Sequence, residues 1–343
     1  MMILGIETSC DETAAAVLFS PRGDRTPKLL SNVIYSQAKI HRKTGGVVPE
    51  IAARAHIEQI IPTIAEALRS ARVSLAEIDG IAVTAGPGLL TSLMVGVDTA
   101  KTLAMVLHKP IVAVNHMEAH AYSTLIEIPP KKTKLLFPAL ALTVSGGHTE
   151  LLLISGWLKH KKIGQTLDDA AGECFDKVAK LLSLPYPGGP ALARLAERGR
   201  ATIAFPRPMI SSGNFNFSFS GLKTAVLYYL RSEGSKIKNK RFRARVAASV
   251  QEAIVDVLVA KTIAAALKHR VKNILLGGGV AANHLLRQKL KAESYKLKSN
   301  FLAAQPEYCT DNAAMIAYAG WLHMQRGDYT PIKKVRANAD WEL

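Results

Sequence analysis

The chain reads as an α/β protein built from one fold unit used twice, and three observations carry that reading. Strand-like and helix-like segments alternate from the first residues to the last. The order strand, polar turn, strand, helices begins near residue 3 and starts again near residue 140. Moving the sequence by 136 positions lays Ser9 on Ser145 and Thr13 on Thr149, with apolar strands flanking both turns. A length of 343 residues with 48% hydrophobic content is ample for two packed cores.

The first repeat opens with strands predicted over residues 3–8 and 14–19, joined through Ser9, Cys10, Asp11, Glu12 and Thr13, and a third strand over 29–37. Ile57, Ile60, Ile61, Ile64 and Leu68 recur at helical spacing, so a helix is predicted over 49–71. A short strand over 81–84 runs into Ala85-Gly86-Pro87-Gly88, a helix follows over 92–107, and a strand over 111–114 leads to the segment Asn115-His116-Met117-Glu118-Ala119-His120. In the second repeat, strands over 140–144 and 150–154 flank Ser145, Gly146, Gly147, His148 and Thr149. Helices are predicted over 168–182, 222–230, 242–269 and 282–291, with a strand over 273–276. The Pro/Gly/Asn/Ser-rich stretches 185–190 and 205–219 read as loops.

Charge is distributed unevenly. Residues 1–120 hold eleven Lys/Arg and eleven Asp/Glu and are formally neutral, whereas residues 231–298 hold sixteen basic and four acidic residues, a net of +12. That asymmetry marks a polyanion-binding face, with nucleic acid the leading partner, and it is densest from Lys236 to Arg245. The bland alternative is a solvated basic surface. Cys10, Cys174 and Cys309 are odd in number and far apart, which fits free thiols in a reducing compartment. No run of eighteen apolar residues occurs, and the N-terminus carries neither a signal peptide nor a transit segment, so no membrane association and a cytoplasmic location are expected.

The most chemical segment is His116 to His120. Positions i and i+4 stack on one helix face, so both imidazoles can reach one cation. A zinc protease places its general-base Glu directly after the first His. Here Glu118 is two positions on, about 200° round a helix, and points away from that cation. A third ligand would strengthen the case. Asp311 is a candidate, although at the start of the last helix it would also serve as a cap, and spacing alone does not bring it to the pair.

Two polar hairpin turns, one with Gly146-Gly147, expose backbone N–H groups suited to anions. Tight hairpins without a ligand would look the same. Gly277, Gly278 and Gly279 lead from a strand into a helix, a setting for a nucleotide against bare backbone. Ala282 stands where a dinucleotide fingerprint would need its last glycine.

Taken together, these segments resemble one family over nearly the whole chain. Gly5 through Thr13, Gly45 through Glu50, Asn115 through His120, Val144 through Thr149, Gly172 through Lys177, Tyr186 through Pro190, Phe217 through Lys223, Gly277 through Asn283 and Cys309 through Asn312 are similar, in order, to the universal tRNA threonylcarbamoyltransferase family. The Ser9-Cys10-Asp11-Glu12-Thr13 turn and the lack of a fused kinase domain look like its bacterial branch.

The resemblance implies the actin, Hsp70 and sugar-kinase fold, with two duplicated domains and the active site between them. The domains would be residues 1–130, completed by a C-terminal helix over about 312–343, and residues 131–311 with a basic helical insertion. It implies transfer of an L-threonylcarbamoyl group from threonylcarbamoyl-AMP to N6 of the adenosine 3′ of the anticodon, in tRNAs reading codons that begin with A. His116, His120 and Asp311 would hold one divalent metal, iron or zinc. Thr143, Val144, Ser145, Gly146 and Gly147 would line the phosphate side of the donor, and Asp176, Gly189 and Asn283 its adenosine. A paralogous partner subunit and a small ATPase would assist. Glu12 or Asp11 could remove the N6 proton, or simply shape the turn. The rival readings are a small-molecule kinase or ATPase of the same fold, a metalloprotease, and a non-enzymatic tRNA scaffold.

Overall fold

The computed structural model describes residues 1–21, 26–128 and 136–343. Contacts divide it into two units: Met1–Leu136 with Trp157–Lys159 and Ala304–Leu343, and Phe137–Gly156 with His160–Ala303. The expected domain boundary at 130/131 lies outside the described residues.

In the first unit, β1 (Met2–Glu7), β2 (Glu12–Phe19), β3 (Lys28–Ser36), β4 (Gly80–Gly86) and β5 (Ile111–Asn115) form a sheet ordered β3-β2-β1-β4-β5. β1 runs antiparallel to β2 and parallel to β4. Alternation along β1 sends Leu4 and Ile6 into a core with Ile60, Ile64 and Ala67 of the helix Pro49–Ala71 and Val97 and Ala100 of the helix Leu90–Val106. On the opposite face lies the helix Ala313–Met324, which packs on β1, β2 and β4. It is apolar nearly all round, the pattern of a helix buried on every side. Gly5 is required there, because a Cβ would come within 2.5 Å of the Ala313 carbonyl oxygen. The expected long C-terminal helix is shorter than predicted: it stops at Met324, and Gly327 follows in the left-handed region.

The second unit repeats the frame. β6 (Ala139–Val144), β7 (Thr149–Gly156), β8 (Lys159–Gln165), β9 (Asn273–Gly277) and β10 (Asn300–Ala303) are ordered β10-β9-β6-β7-β8. The 136-residue shift holds at the level of hydrogen-bond register. Ile3 pairs with Leu18 and Ala139 with Ile154; Glu7 pairs with Ala14 and Thr143 with Glu150. The parallel neighbours match as well, Ile3 with Gly80 and Ala139 with Asn273. A one-residue slip would turn every side chain to the wrong face, so a shared register is a strict form of repetition.

Several elements depart from the sequence reading. Glu12 and Thr13 belong to β2 rather than to the turn. The stretch predicted as a loop over 185–190 contains the start of the helix Gly188–Ala196, because Pro190 falls in its first turn, where no N–H bond is lost. β8 and β10 were not expected: β8 is lysine-rich and edge-lying, and β10 is only four residues long. The helix predicted over 282–291 starts at His284 and runs to Lys296, capped by Asn283. The helix Lys240–His269 is 30 residues long and mostly buried beyond its first turn, so the basic segment is not uniformly a surface.

Candidate metal and donor site

The first unit gathers a buried polar cluster where β1, β4 and β5 end. Asn115 closes β5 and caps the next helix, its Oδ1 accepting from the Met117 and Glu118 N–H groups at 2.9 and 3.3 Å. The helix His116–Tyr122 then stacks the two imidazoles edge to face, with ring centroids 4.5 Å apart. Asp311 joins them across 191 residues of sequence, its Oδ1 lying 3.1 Å from His120 Nε2 and 3.4 Å from His116 Nε2. It is not the helix cap; Asn312 takes that role by accepting from the Met315 N–H.

These three groups fit a metal ion. One donor atom from each lies within 4.8 Å of the others. Two ligands on a tetrahedral ion with bonds of about 2.1 Å stand about 3.4 Å apart, close to the spacings to Asp311. The far side of His116 is also built for ligation. Its Nδ1 lies 3.1 Å from Glu7 Oε2 and 3.2 Å from Ser9 Oγ, and Thr84 Oγ1 donates to Glu7 Oε2 at 2.6 Å. A carboxylate on the second nitrogen fixes the tautomer and makes the imidazole a better ligand. Glu7 is fully buried, and its other oxygen accepts from the Ser9 N–H.

Electrostatics agree. Burial disfavours a charged His116, yet Asp311 and Glu7 on either side overcome it and push the imidazole up to about 10. Burial, together with the charge on His116, pushes His120 below its ordinary value. Burial alone would raise Asp311, but the two imidazoles hold it well below the usual carboxylate range. A proton on His116 therefore balances two carboxylates where a cation would do so. Glu118 stands apart, paired at 3.0 Å with His323 Nε2.

Asp11 and Glu12 stand beside this cluster. Burial, then the charges of Asp11 and Asp311, raise the Glu12 carboxyl well above its ordinary value, and Ser36 Oγ donates to its Oε1 at 3.2 Å. Asp11 adds to that rise both through its charge and through a side-chain hydrogen bond to Glu12.

The second unit presents a different kind of turn. Thr143 and Val144 end β6; the Ser145 N–H donates to the His148 carbonyl at 2.8 Å, and the His148 N–H to Ser145 Oγ at 3.2 Å. Gly146 and Gly147 are exposed, and a Cβ on either would meet nothing within 4 Å. Thr143 Oγ1 is buried without a hydrogen-bond partner among the described residues. Gly278, at φ 89°, lies against this turn so closely that a Cβ would come 2.4 Å from the Val144 carbonyl oxygen. Asp176 Oδ1 accepts from the Gly189 N–H at 2.9 Å, joining the helix Ala171–Leu181 to the helix Gly188–Ala196. Asn283 Oδ1 accepts from the Leu286 N–H, while its Nδ2 donates to Gln251 Oε1 at 2.8 Å.

The profile of the tRNA N6-adenosine threonylcarbamoyltransferase family matches residues 28–318. The chain belongs to that family. Relatives of that name include one from Kosmotoga olearia, 48% identical over 97% of this chain and 96% of that protein, and one from Geobacillus kaustophilus, 50% identical over 95% and 92%. The Bacillus subtilis relative is 47% identical over 95% and 92%. Members of the threonylcarbamoyltransferase family are transferases, and the chain is an enzyme of that class. The solved structure of HypF from T. kodakarensis superposes with a TM-score of 0.63 at 16% identity, covering 95% of this chain and 48% of that one. That likeness bears on the fold alone, an actin/Hsp70/sugar-kinase-like α/β fold with its unit duplicated.

Glu7 and Gln251 have no role in the sequence reading, and Ser9 enters it only as part of the first turn, not as a partner of His116. The signal for Glu7 was present: a carboxylate at an inward-facing strand position is rare unless it is paired.

Proposed function

We propose that the chain moves an L-threonylcarbamoyl group from threonylcarbamoyl-AMP to N6 of the adenosine 3′ of the anticodon, in the cytoplasm, with AMP as leaving group. The observation that carries the reading is the convergence of His116, His120 and Asp311, backed by Glu7, beside the raised Glu12 carboxyl. The donor is a mixed carbamic–phosphoric anhydride. N6 attacks its carbonyl carbon, the new C–N bond forms, and the bond to the phosphate oxygen breaks with its electron pair leaving on AMP. A bound divalent ion, iron or zinc, would supply Lewis-acid stabilisation of the charge developing on the donor's oxygens.

The protein's own groups do the rest. The proton that N6 loses passes to whichever carboxyl of Asp11 and Glu12 is ionised; adenine N6 is a weak nucleophile, so its proton must leave as the bond forms. Thr143, Val144 and Ser145 offer backbone and hydroxyl groups to the phosphate, while Gly146 and Gly147 leave room for its approach. Asp176, Gly189 and Asn283 hold the adenosine, and placement of the two reactants supplies much of the rate. The RNA would lie along the groove of about 800 Å³ formed by Lys236, Lys238, Arg241 and Arg245 with Phe242. Lys261 and Lys289 of the same basic segment are committed elsewhere, to Ser212 and to Asp256. A paralogous subunit and a small ATPase act with the chain in this proposal.

The test supplies the donor adenylate and tRNA with the partner subunits present, and measures threonine label on tRNA against ATP turnover by the chain alone. Label transfer without ATP turnover by the chain is expected. ATP hydrolysis with no transfer would favour the kinase reading instead. Binding of tRNA should weaken steeply with salt, the log–log slope flattening by about 0.9 for each phosphate contact removed from the groove.

A further inference from the structure

We infer that His56 is a positioning residue, holding the Cys10–Thr13 segment so that Asp11 and Glu12 face the reacting atoms. His56 lies on the inner face of the helix Pro49–Ala71 and is fully buried. Its Nε2 lies 2.9 Å from the Cys10 carbonyl oxygen, which only accepts, so Nε2 carries the proton. Nδ1 then offers a lone pair and accepts from Thr13 Oγ1 at 2.8 Å. One neutral imidazole thus spans the two residues that flank Asp11 and Glu12. Burial lowers its basicity and keeps it neutral, against the opposing pull of Glu7 and Asp11 and with the help of His41.

The turn's backbone shows why this matters. Three successive carbonyls are tied to three different places: Ser9 to the Leu89 N–H at 2.8 Å, Cys10 to His56, and Asp11 to the Gln37 N–H at 3.0 Å. Two of the three ties are backbone to backbone; the middle one depends on a side chain. Removing it leaves a partly buried acceptor without a partner and frees the segment to turn between its two remaining anchors. Reacting groups displaced by about 1 Å lose rate rather than substrate binding, on the order of 100-fold.

The inference rests on the reading of Glu12 or Asp11 as proton acceptor. The experiment uses the full chain with its partners and measures single-turnover transfer at saturating donor and tRNA, together with donor KM, metal content and thermal melting. The variants are His56→Ala, His56→Gln and His56→Asn. A glutamine amide nitrogen reaches the place of Nε2 and can serve the Cys10 carbonyl; an asparagine amide reaches only the place of Nδ1. Expected are a loss of about 100-fold in turnover for His56→Ala and His56→Asn, recovery to within about 10-fold for His56→Gln, and unchanged KM and metal content. Equal loss in His56→Gln and His56→Asn, or His56→Ala at full speed, overturns the positioning role. Should His56→Ala fail to fold, the Gln and Asn pair still decides. The base assignment fails separately: Glu12→Gln and Asp11→Asn both at full speed would reject it, whatever the His56 variants do.

Discussion

The two hairpin turns occupy the same place in a repeated frame and have opposite character. By strand register, Glu7 corresponds to Thr143, Cys10 to Gly146, Asp11 to Gly147 and Glu12 to His148. In the first unit the turn is acidic, packed against buried imidazoles, and tied through three consecutive carbonyls. In the second it is open: its glycines have no neighbour within 4 Å of where a Cβ would stand, and a serine closes it locally. One scaffold therefore carries a charged, rigid site suited to a cation and a bare backbone site suited to an anion. The difference lies in side chains at equivalent positions, not in topology, which is why fold alone does not assign function.

The comparison breaks most severely at Asp311. Asp311→Ala removes the anion that draws both imidazoles together, so bound metal should be lost and transfer should fall on the order of 1000-fold, checked by elemental analysis beside labelled-threonine transfer. Next comes Glu7→Gln, which keeps the shape but removes the charge behind His116 Nδ1. Metal affinity should drop about 10- to 100-fold in competition with a chelating dye. Unchanged affinity would mean that Glu7 is only a structural carboxylate.

A smaller effect is the pH dependence of metal uptake. Without an ion, His116 holds its proton up to about pH 10, while His120 is neutral and contributes none. Ligation below that pH therefore expels one proton, and affinity should fall about tenfold for each unit of acidification between pH 9 and 7. Calorimetry in buffers of different ionisation enthalpy measures the released proton directly. The smallest change is predicted in the second turn. Gly146→Ala has open space to fill and should alter stability by no more than about 0.5 kcal/mol, while raising the donor KM. A large loss of melting temperature would show that the turn is not as open as its counterpart is closed.

Much of the frame was legible because strand–turn–strand patterns and helical spacing survive in one dimension. The helix Pro49–Ala71 could be bounded to the residue, since Pro49 opens it and its apolar positions recur regularly. The helix at Gly188 could not, because Gly-Gly-Pro at a helix start has the composition of a loop. Local spacing pointed to His116 and His120, and the family resemblance to Asp311. The strand position of Glu7 signals a paired carboxylate but not its partner, and His56 gives no signal at all, because their roles exist only across long separations: 109 residues for Glu7 and His116, and 46 for His56 and Cys10. Sequence periodicity reports which face a side chain takes, and says nothing about which distant partner meets it there.

The most direct measurement is mass spectrometry of tRNA nucleosides after incubation with threonylcarbamoyl-AMP and the proposed partner subunits, comparing metal-loaded protein, chelator-treated protein and Asp311→Ala. The account predicts N6-threonylcarbamoyladenosine with the loaded protein, a loss under chelation that added metal reverses, and a loss in Asp311→Ala that it does not. Full modification by the chelated protein and by Asp311→Ala would contradict it.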